Sequence, residues 1–169
     1  MARTIWRRVP TAGDVFDVAL NMRDSDAAEI FASRRDDDRR RFAAETAAAL
    51  PHAPMALAYG LDGSPKPCAL LWVWPLDESG ALASVNLFAT SDFPRLAGAL
   101  VRDLRTRLGP MLVAAGFRRL ECRVLETHTQ SRRFIRHAGG AEEGACRAFG
   151  RNNETFILCA WLRSEWENR

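Results

Sequence analysis

Residues 68–74, Cys-Ala-Leu-Leu-Trp-Val-Trp, are apolar at every position. A strand with one face in water alternates apolar and polar side chains, so a run without alternation belongs to a strand covered on both faces. A sheet therefore lies at the centre of the fold, and the rest of the chain must supply the layers that cover it. Residues 55–60 and 81–90 also read as strands. The segments between the three, Leu-Asp-Gly-Ser-Pro-Lys-Pro and Pro-Leu-Asp-Glu-Ser-Gly, are hairpin-like connections.

Helical patterns flank these strands in sequence. After a short strand over 5–9, Thr11-Ala-Gly-Asp14 reads as a capped helix start, and Val15, Val18, Ala19 and Met22 fall on one face of the helix that follows. A second helix over 25–33 buries Ala27, Ile30 and Phe31, and a third over 42–50 stops at Pro51. Beyond Ser91-Asp92-Phe93-Pro94, Leu96, Leu100, Leu104, Leu108 and Leu112 recur at intervals of four and form one buried face, with a kink or restart at Gly109-Pro110. Residues 119–124 alternate, with Leu120, Cys122 and Val124 on one face and Arg119, Glu121 and Arg123 on the other. A polar turn and a short amphipathic helix ending at Gly139-Gly140 come next. Two more strands, over 145–149 and 155–161, are joined by a Gly-Arg-Asn-Asn turn.

A chain of 169 residues, 47% apolar and 27% charged, has the size and composition of one globular domain, here 1–169. No run approaches the roughly 18 apolar residues of a membrane span, and the first residues lack the apolar centre of a signal peptide, so no membrane is expected and the cytoplasm is the default location. Cys68, Cys122, Cys146 and Cys159 include no Cys-x-x-Cys pair and read as small buried hydrophobes in a reducing compartment, with no metal. A net charge of +3, from 24 basic residues of which only Lys66 is a lysine, is too small to imply a nucleic-acid partner. In Arg-Arg-Asp-Asp-Asp-Arg-Arg-Arg, residues 34–41, a helix would pair Arg34 with Asp38, Asp36 with Arg40 and Asp37 with Arg41, each pair worth about 0.2–0.5 kcal/mol. The run reads as a solvated helix face rather than an anion site.

The order of elements resembles the GNAT N-acetyltransferase superfamily over nearly the whole chain. That superfamily often follows its fifth strand with Asn-x-x-Ala-x-x-Leu-Tyr-x-x-x-Gly-Phe and an acidic-glycine pair. His128, Ser131, Phe134, Ile135, Gly139 and Gly140 stand at those positions, ahead of Glu143-Gly144. Phe-Arg-Arg-Leu-Glu-Cys-Arg (117–123), the helix ending in Ala-Gly-Gly-Ala and the tail from Arg147 to Arg163 are similar to a divergent bacterial and tailed-phage subgroup. The resemblance implies an α+β fold: a single GNAT-like domain with a mixed, mostly antiparallel central sheet of about seven strands flanked by about four helices.

It also implies acetyl-coenzyme A as co-substrate, lying where the fourth and fifth strands splay, near 86–90 and 121–124, with Leu87, Phe88 and Ala89 along the fourth strand. The superfamily's phosphate turn, Gln/Arg-x-x-Gly-x-Gly/Ala, falls on Asp92-Phe93-Pro94-Arg95-Leu96-Ala97, where only Ala97 matches. There the helix start at Leu96, Ala97 and Gly98 supplies backbone donors and Arg95 a cation for phosphate, unless Ser91 or Asp92 simply caps the helix.

Acetyl transfer to an amine needs a base for the amine and an acid for the departing thiolate. The superfamily often uses a glutamate and a tyrosine. Ile135 occupies the tyrosine position, and Tyr59, the one tyrosine, lies in the second strand. Glu121 is the candidate base, or else a surface partner of Arg119 or Arg123. His128, with Ser131 beside it, is the candidate proton donor, or else a helix cap. Trp72, Trp74 and Phe88 read as core packing ahead of a substrate groove, and His137 as a structural charge at a helix end. The expected activity is an acetyl-coenzyme A-dependent transfer to an amine of a small molecule or protein. The alternative is a catalytically silent GNAT-fold binding or structural protein, phage-associated, working as a homodimer or assembly component, in a virion where phage-encoded.

Overall fold

The computed structural model describes residues 4–164; the few residues of the expected 1–169 domain beyond these lie outside the description. Seven strands, β1 (Ile5–Arg8), β2 (Met55–Leu61), β3 (Ala69–Pro75), β4 (Leu82–Ala89), β5 (Arg119–Leu125), β6 (Ala141–Cys146) and β7 (Phe156–Leu162), hydrogen-bond in the order β1-β2-β3-β4-β5-β7-β6. β1 with β2, β2 with β3, β5 with β7 and β6 with β7 are antiparallel, and β4 with β5 is parallel. The fold is α+β with a mixed, mostly antiparallel sheet.

The helices are α1 (Ala12–Leu20), α2 (Asp24–Ala32), α3 (Arg39–Ala49), α4 (Phe93–Asp103), α5 (Gly109–Ala114) and α6 (Thr129–His137). A π-helical turn, Leu104–Leu108, joins α4 to α5, so the described residues carry five helical rods where about four were expected. The π-turn follows from Pro110. Its ring nitrogen has no N–H to donate, and the Gly109 N–H bonds Leu104 O, five residues back, just ahead of it.

By contacts the described chain forms two compact groups, one of residues 4–28, 36–74 and 86–100, the other of 29–35, 75–85 and 101–164. In the first group Val15, Val18, Tyr59, Leu70, Val73, Phe88, Leu96 and Leu100 are fully buried. Phe88 meets Phe42 and Trp72 edge-on, with ring centroids 5.2 and 5.7 Å away, so both Phe88 and Trp72 pack as expected for core. Trp74 does not, being 39% exposed at the end of β3. The start of α1 is the capping box read from the sequence: Thr11 Oγ1 accepts from the Asp14 N–H, and Asp14 Oδ2 accepts from the Thr11 N–H.

The charged run departs from expectation. Residues 34–38 are not helical, so the helical face expected for the run is not built. Asp38 is the N-cap of α3, its Oδ1 accepting from the N–H groups of Arg40 and Arg41. Arg41 reaches Asp36 and Glu45, while Arg39 donates to the carbonyls of Leu20 and Met22 and to Asp24. A short acidic side chain competes for free N–H groups, which exist at a helix start and not in its interior.

In the second group Leu108, Leu112, Leu120, Val124, Ile135, Phe156 and Trp161 are buried, and Leu104 is half-buried. β6 begins four residues earlier than the strand expected over 145–149, with Ala141 already paired to Ala160 of β7, and it ends at Cys146, short of Ala148 with its left-handed φ of 52°. The Gly139-Gly140 pair ends α6 as a Schellman motif. The Gly139 N–H bonds Arg136 O, the Gly140 N–H bonds Ile135 O, and Gly139 has φ 95°. Gly140 has a separate role: a Cβ there would stand 2.7 Å from both Ile135 Cγ2 and Trp161 Cε2. Gly139→Ala should cost about 1–2 kcal/mol for the left-handed backbone, and Gly140→Ala about 1–3 kcal/mol through overpacking against Trp161. Urea unfolding followed by tryptophan fluorescence measures both, and only Gly140→Ala should perturb the native Trp161 environment.

Candidate functional site

β5 is paired with β7 along its whole length, from Arg119↔Leu162 to Leu125↔Phe156. On its other side the parallel ladder takes in Leu82↔Arg119, Ala83↔Leu120 and Ser84↔Glu121, whereas β5 itself runs on to Leu125. The end of β5 turns sharply into α6: the His128 N–H bonds Leu125 O, and the Arg132 N–H makes the first helical bond to His128 O. His128 sits at the N-cap position, but its side chain makes no capping bond, and its ring is turned into the protein with the residue 5% exposed.

The ring is held at both nitrogens. Nδ1 lies 3.0 Å from Glu29 Oε2, and Nε2 lies 3.1 Å from Ser131 Oγ. Glu29 Oε2 also accepts from the Leu125 N–H at 2.9 Å. Because a carboxylate only accepts, the proton in the first contact belongs to Nδ1. That fixes the tautomer, leaving Nε2 of the neutral ring as an acceptor for the Ser131 hydroxyl. Ser131 is one helical turn beyond His128, the spacing that stacks two side chains on one helix face, and it is half-buried. The result is a chain carboxylate, imidazole, hydroxyl, with the imidazole buried and both of its partners partly exposed.

The sequence brought His128 and Ser131 forward but not Glu29, which stands 99 residues before His128. No motif links them. The only available signal was an acidic pair, Asp26 and Glu29, one turn apart on a helix otherwise read from its apolar residues. Asp26 is 4% exposed; it takes two bonds from Arg23, at 2.6 and 3.1 Å, and one from the Ala89 N–H at 2.8 Å.

Glu121 lies on β5 with its side chain 12% exposed. Arg119 Nε–H donates to Oε2 at 3.1 Å, and Arg123 Nη2 lies 3.5 Å from Oε1, so both arginines named as surface partners are present. Arg119 is also bidentate to Glu143, at 2.9 and 2.6 Å. This pairing holds the Glu143 carboxyl below the usual carboxylate range and raises the arginine further above its own. Arg132 grips Glu142 in the same way and also bonds Glu126 O, which ties the turn before α6 to β6.

Of the residues expected along the coenzyme, Phe88, Ala89 and Leu96 are fully buried and Leu87 is half-buried. The backbone of Ala89 is engaged, its N–H by Asp26 and its carbonyl by the Arg23 N–H. α4 begins at Phe93, ahead of the helix start expected at Leu96 to Gly98, so Ala97 and Gly98 lie past the first turn whose N–H groups are free; Arg95 and Gly98 are exposed and Ala97 half-buried. Arg95 Nη1 donates to Asp92 Oδ1 at 2.9 Å, so Asp92 partners a side chain there. Among the described residues no group of three or more His, Cys, Asp or Glu side chains could hold a metal ion, and no helix is long and apolar enough to cross a membrane.

Comparison of the structure with solved ones finds RimJ from Mycobacterium smegmatis in complex with CoA-disulfide, with a TM-score of 0.72 at 18% identity, covering 97% of this chain and 84% of that one. Spermidine N-acetyltransferase from Vibrio cholerae in complex with CoA and spermine also gives 0.72, at 11% identity over 97% and 98%. An acetyltransferase of the GNAT family from Bacillus anthracis gives 0.67 at 16% identity over 97% and 98%. This is the GNAT fold. No family model matches the sequence, and no curated protein does so. Identities this low establish the fold and leave the chemistry to the side chains of this chain.

Those side chains yield a direct stability test. Glu29→Ala removes the acceptor of both the Leu125 N–H and His128 Nδ1, and should destabilise the protein by about 2–3 kcal/mol in urea unfolding. Glu29→Gln keeps an acceptor oxygen and should cost less than half as much.

Proposed function

We propose that this chain is an acetyl-coenzyme A-dependent N-acetyltransferase of the bacterial or tailed-phage type, acting as one domain on an amine of a small molecule or protein. The observation that carries the reading is His128, buried between a carboxylate and a hydroxyl at the end of β5. An imidazole with a fixed tautomer beside a half-buried hydroxyl is equipped to move one proton. In acetyl transfer Nε2 first takes, through Ser131, the proton that the nitrogen sheds once it has attacked the thioester. The imidazolium so formed returns it through Ser131 to the sulfur of the departing coenzyme, which fills the role left open by Ile135 at the tyrosine position.

Glu121 is the proposed base for the amine. Its Oε1 is the oxygen to use, because the 3.5 Å approach of Arg123 is at the limit of a hydrogen bond, whereas Arg119 holds Oε2 more closely. The pantetheine arm is proposed to run beside Leu87, with Phe88, Ala89 and Leu96 as its buried support. The phosphates are proposed at the start of α4, where Arg95 exchanges Asp92 for phosphate oxygen, with Ala97 and Gly98 one turn further along the helix. The known neighbours act on spermidine or carry CoA, so polyamines and a peptide with a free amino terminus form the natural acceptor panel.

A specific pair of observations favours the other reading, a coenzyme-free binding or structural protein: Arg95 is already paired with Asp92, and the Ala89 backbone is occupied by α2 residues. Melting curves with acetyl-coenzyme A separate the two. Ligand at about 100 times its dissociation constant should add roughly 2.7 kcal/mol of stability, and the absence of any shift at millimolar coenzyme would decide for the binding protein. Arg95→Ala should weaken coenzyme binding about tenfold, while Glu121→Gln should leave binding intact and lower turnover by roughly tenfold or more.

A further inference from the structure

We propose that Ser131 is a nucleophile, activated by His128 and Glu29, that takes the acetyl group of acetyl-coenzyme A onto its own oxygen before passing it on. The inference rests on the coenzyme reading above and concerns the order of bond making within it.

Three observations point this way. The contacts Ser131 Oγ to His128 Nε2 at 3.1 Å and His128 Nδ1 to Glu29 Oε2 at 3.0 Å are those of a hydroxyl nucleophile, a base and a carboxylate that orients the base. The carboxylate is itself fixed, by the Leu125 N–H on the same oxygen, so the ring cannot rotate without breaking two bonds. Finally, the hydroxyl keeps part of its surface accessible: His128 is buried, whereas Ser131, in the first turn of α6, is half-buried. A buried histidine needs only partners for its nitrogens, and any polar atom would serve. A carboxylate on Nδ1 and a hydroxyl on Nε2 is the particular pairing that makes the hydroxyl a stronger nucleophile.

In the first half-reaction Ser131 Oγ attacks the thioester carbonyl carbon as its proton passes to His128 Nε2. The carbon–sulfur bond then breaks, and Nε2 returns the proton to the thiolate. The products are O-acetyl-Ser131 and free coenzyme A, with His128 neutral again. In the second, an amine attacks the ester carbonyl, the carbon–oxygen bond breaks, and Ser131 recovers a proton from Nε2. His128 receives that proton from the attacking nitrogen, either directly or by way of Glu121. Glu29 touches no reacting atom and acts as a positioning residue, holding the imidazolium that forms twice in each cycle.

The test needs no knowledge of the acceptor. The whole protein is mixed with acetyl-coenzyme A alone and quenched in acid. Intact mass and peptide mapping should find a single acetyl group on Ser131, with one equivalent of coenzyme A released. Where water serves as acceptor and the ester does not accumulate, the same chemistry appears as steady coenzyme A release that Ser131→Ala abolishes. Ser131→Cys should accept the acetyl group as a thioester, and melting curves without ligand confirm that both variants fold. His128→Asn should slow acylation by roughly a hundredfold. Glu29→Gln should slow it about tenfold at an unchanged half-saturating concentration of acetyl-coenzyme A, with Glu29→Asp recovering part of the rate. A coenzyme-induced rise in melting temperature, with no acetyl on Ser131 and equal coenzyme A release from wild type and Ser131→Ala, would overturn the nucleophile and leave the transferase reading standing. No rise at all would overturn both.

Discussion

Glu29 Oε2 accepts from the Leu125 N–H and lies within hydrogen-bond reach of His128 Nδ1, and the chemistry proposed for this protein hangs on that one oxygen. Its first bond fixes the last residue of β5, from which the turn into α6 departs. Its second fixes the tautomer and plane of the imidazole, and through the imidazole the direction of the Ser131 hydroxyl. Either bond alone would leave the ring a rotational freedom that a reaction geometry cannot tolerate, since small errors in placement are costly where reacting groups must meet. The side chain is 18% exposed, buried enough that the bonds are not simply exchanged for water.

Much of the fold was legible because its signals are local. The all-apolar run gave β3, the Thr11–Asp14 capping box gave α1, and the paired glycines gave the end of α6, each through a rule that spans a few residues. The errors share a different origin. Asp38 looked like one half of a helical ion pair and is instead a cap, because the pairing rule presumes a helix running through the acidic residues, whereas the helix starts only after Asp38. β6 was placed late because its residues, Ala-Glu-Glu-Gly-Ala-Cys, have no apolar alternation; backbone pairing to β7 makes it a strand, and the pairing is invisible in its own side chains. Glu29 was missed for the most general reason: a contact between residues 99 apart carries no period and no motif.

The arginines divide into two kinds, which their number alone conceals. Arg23 and Arg39 are used inward: Arg23 against buried Asp26, and Arg39 against the carbonyls that end α1 and follow it. Losing such a group strands polar partners away from water. Arg119 and Arg132 instead gather carboxylates at the surface, where salt and solvent screen each pair and a single bridge is worth about 1 kcal/mol or less. A guanidinium serves both ends because its fixed fork matches a carboxylate or two carbonyls without reorganisation.

Those surface arginines bear also on the edge of the sheet. In the strand order β6 comes last, its other edge is not paired within the sheet, and nearly all of its residues are exposed. An open edge of this kind is a template on which a second chain can add a strand, and the growth of aggregates begins there. Here the edge carries Glu142 and Glu143 side by side with an irregularity in register between Glu142 and Gly144, and both carboxyls are held below the usual carboxylate range by their hydrogen bonds from Arg132 and Arg119. A strand laid alongside would have to bring its own matching charges and follow the bulge. The arginine clamps therefore do more than tie β6 to its neighbours: they hold charged side chains in place on the strand that a second copy of this protein would have to pair with.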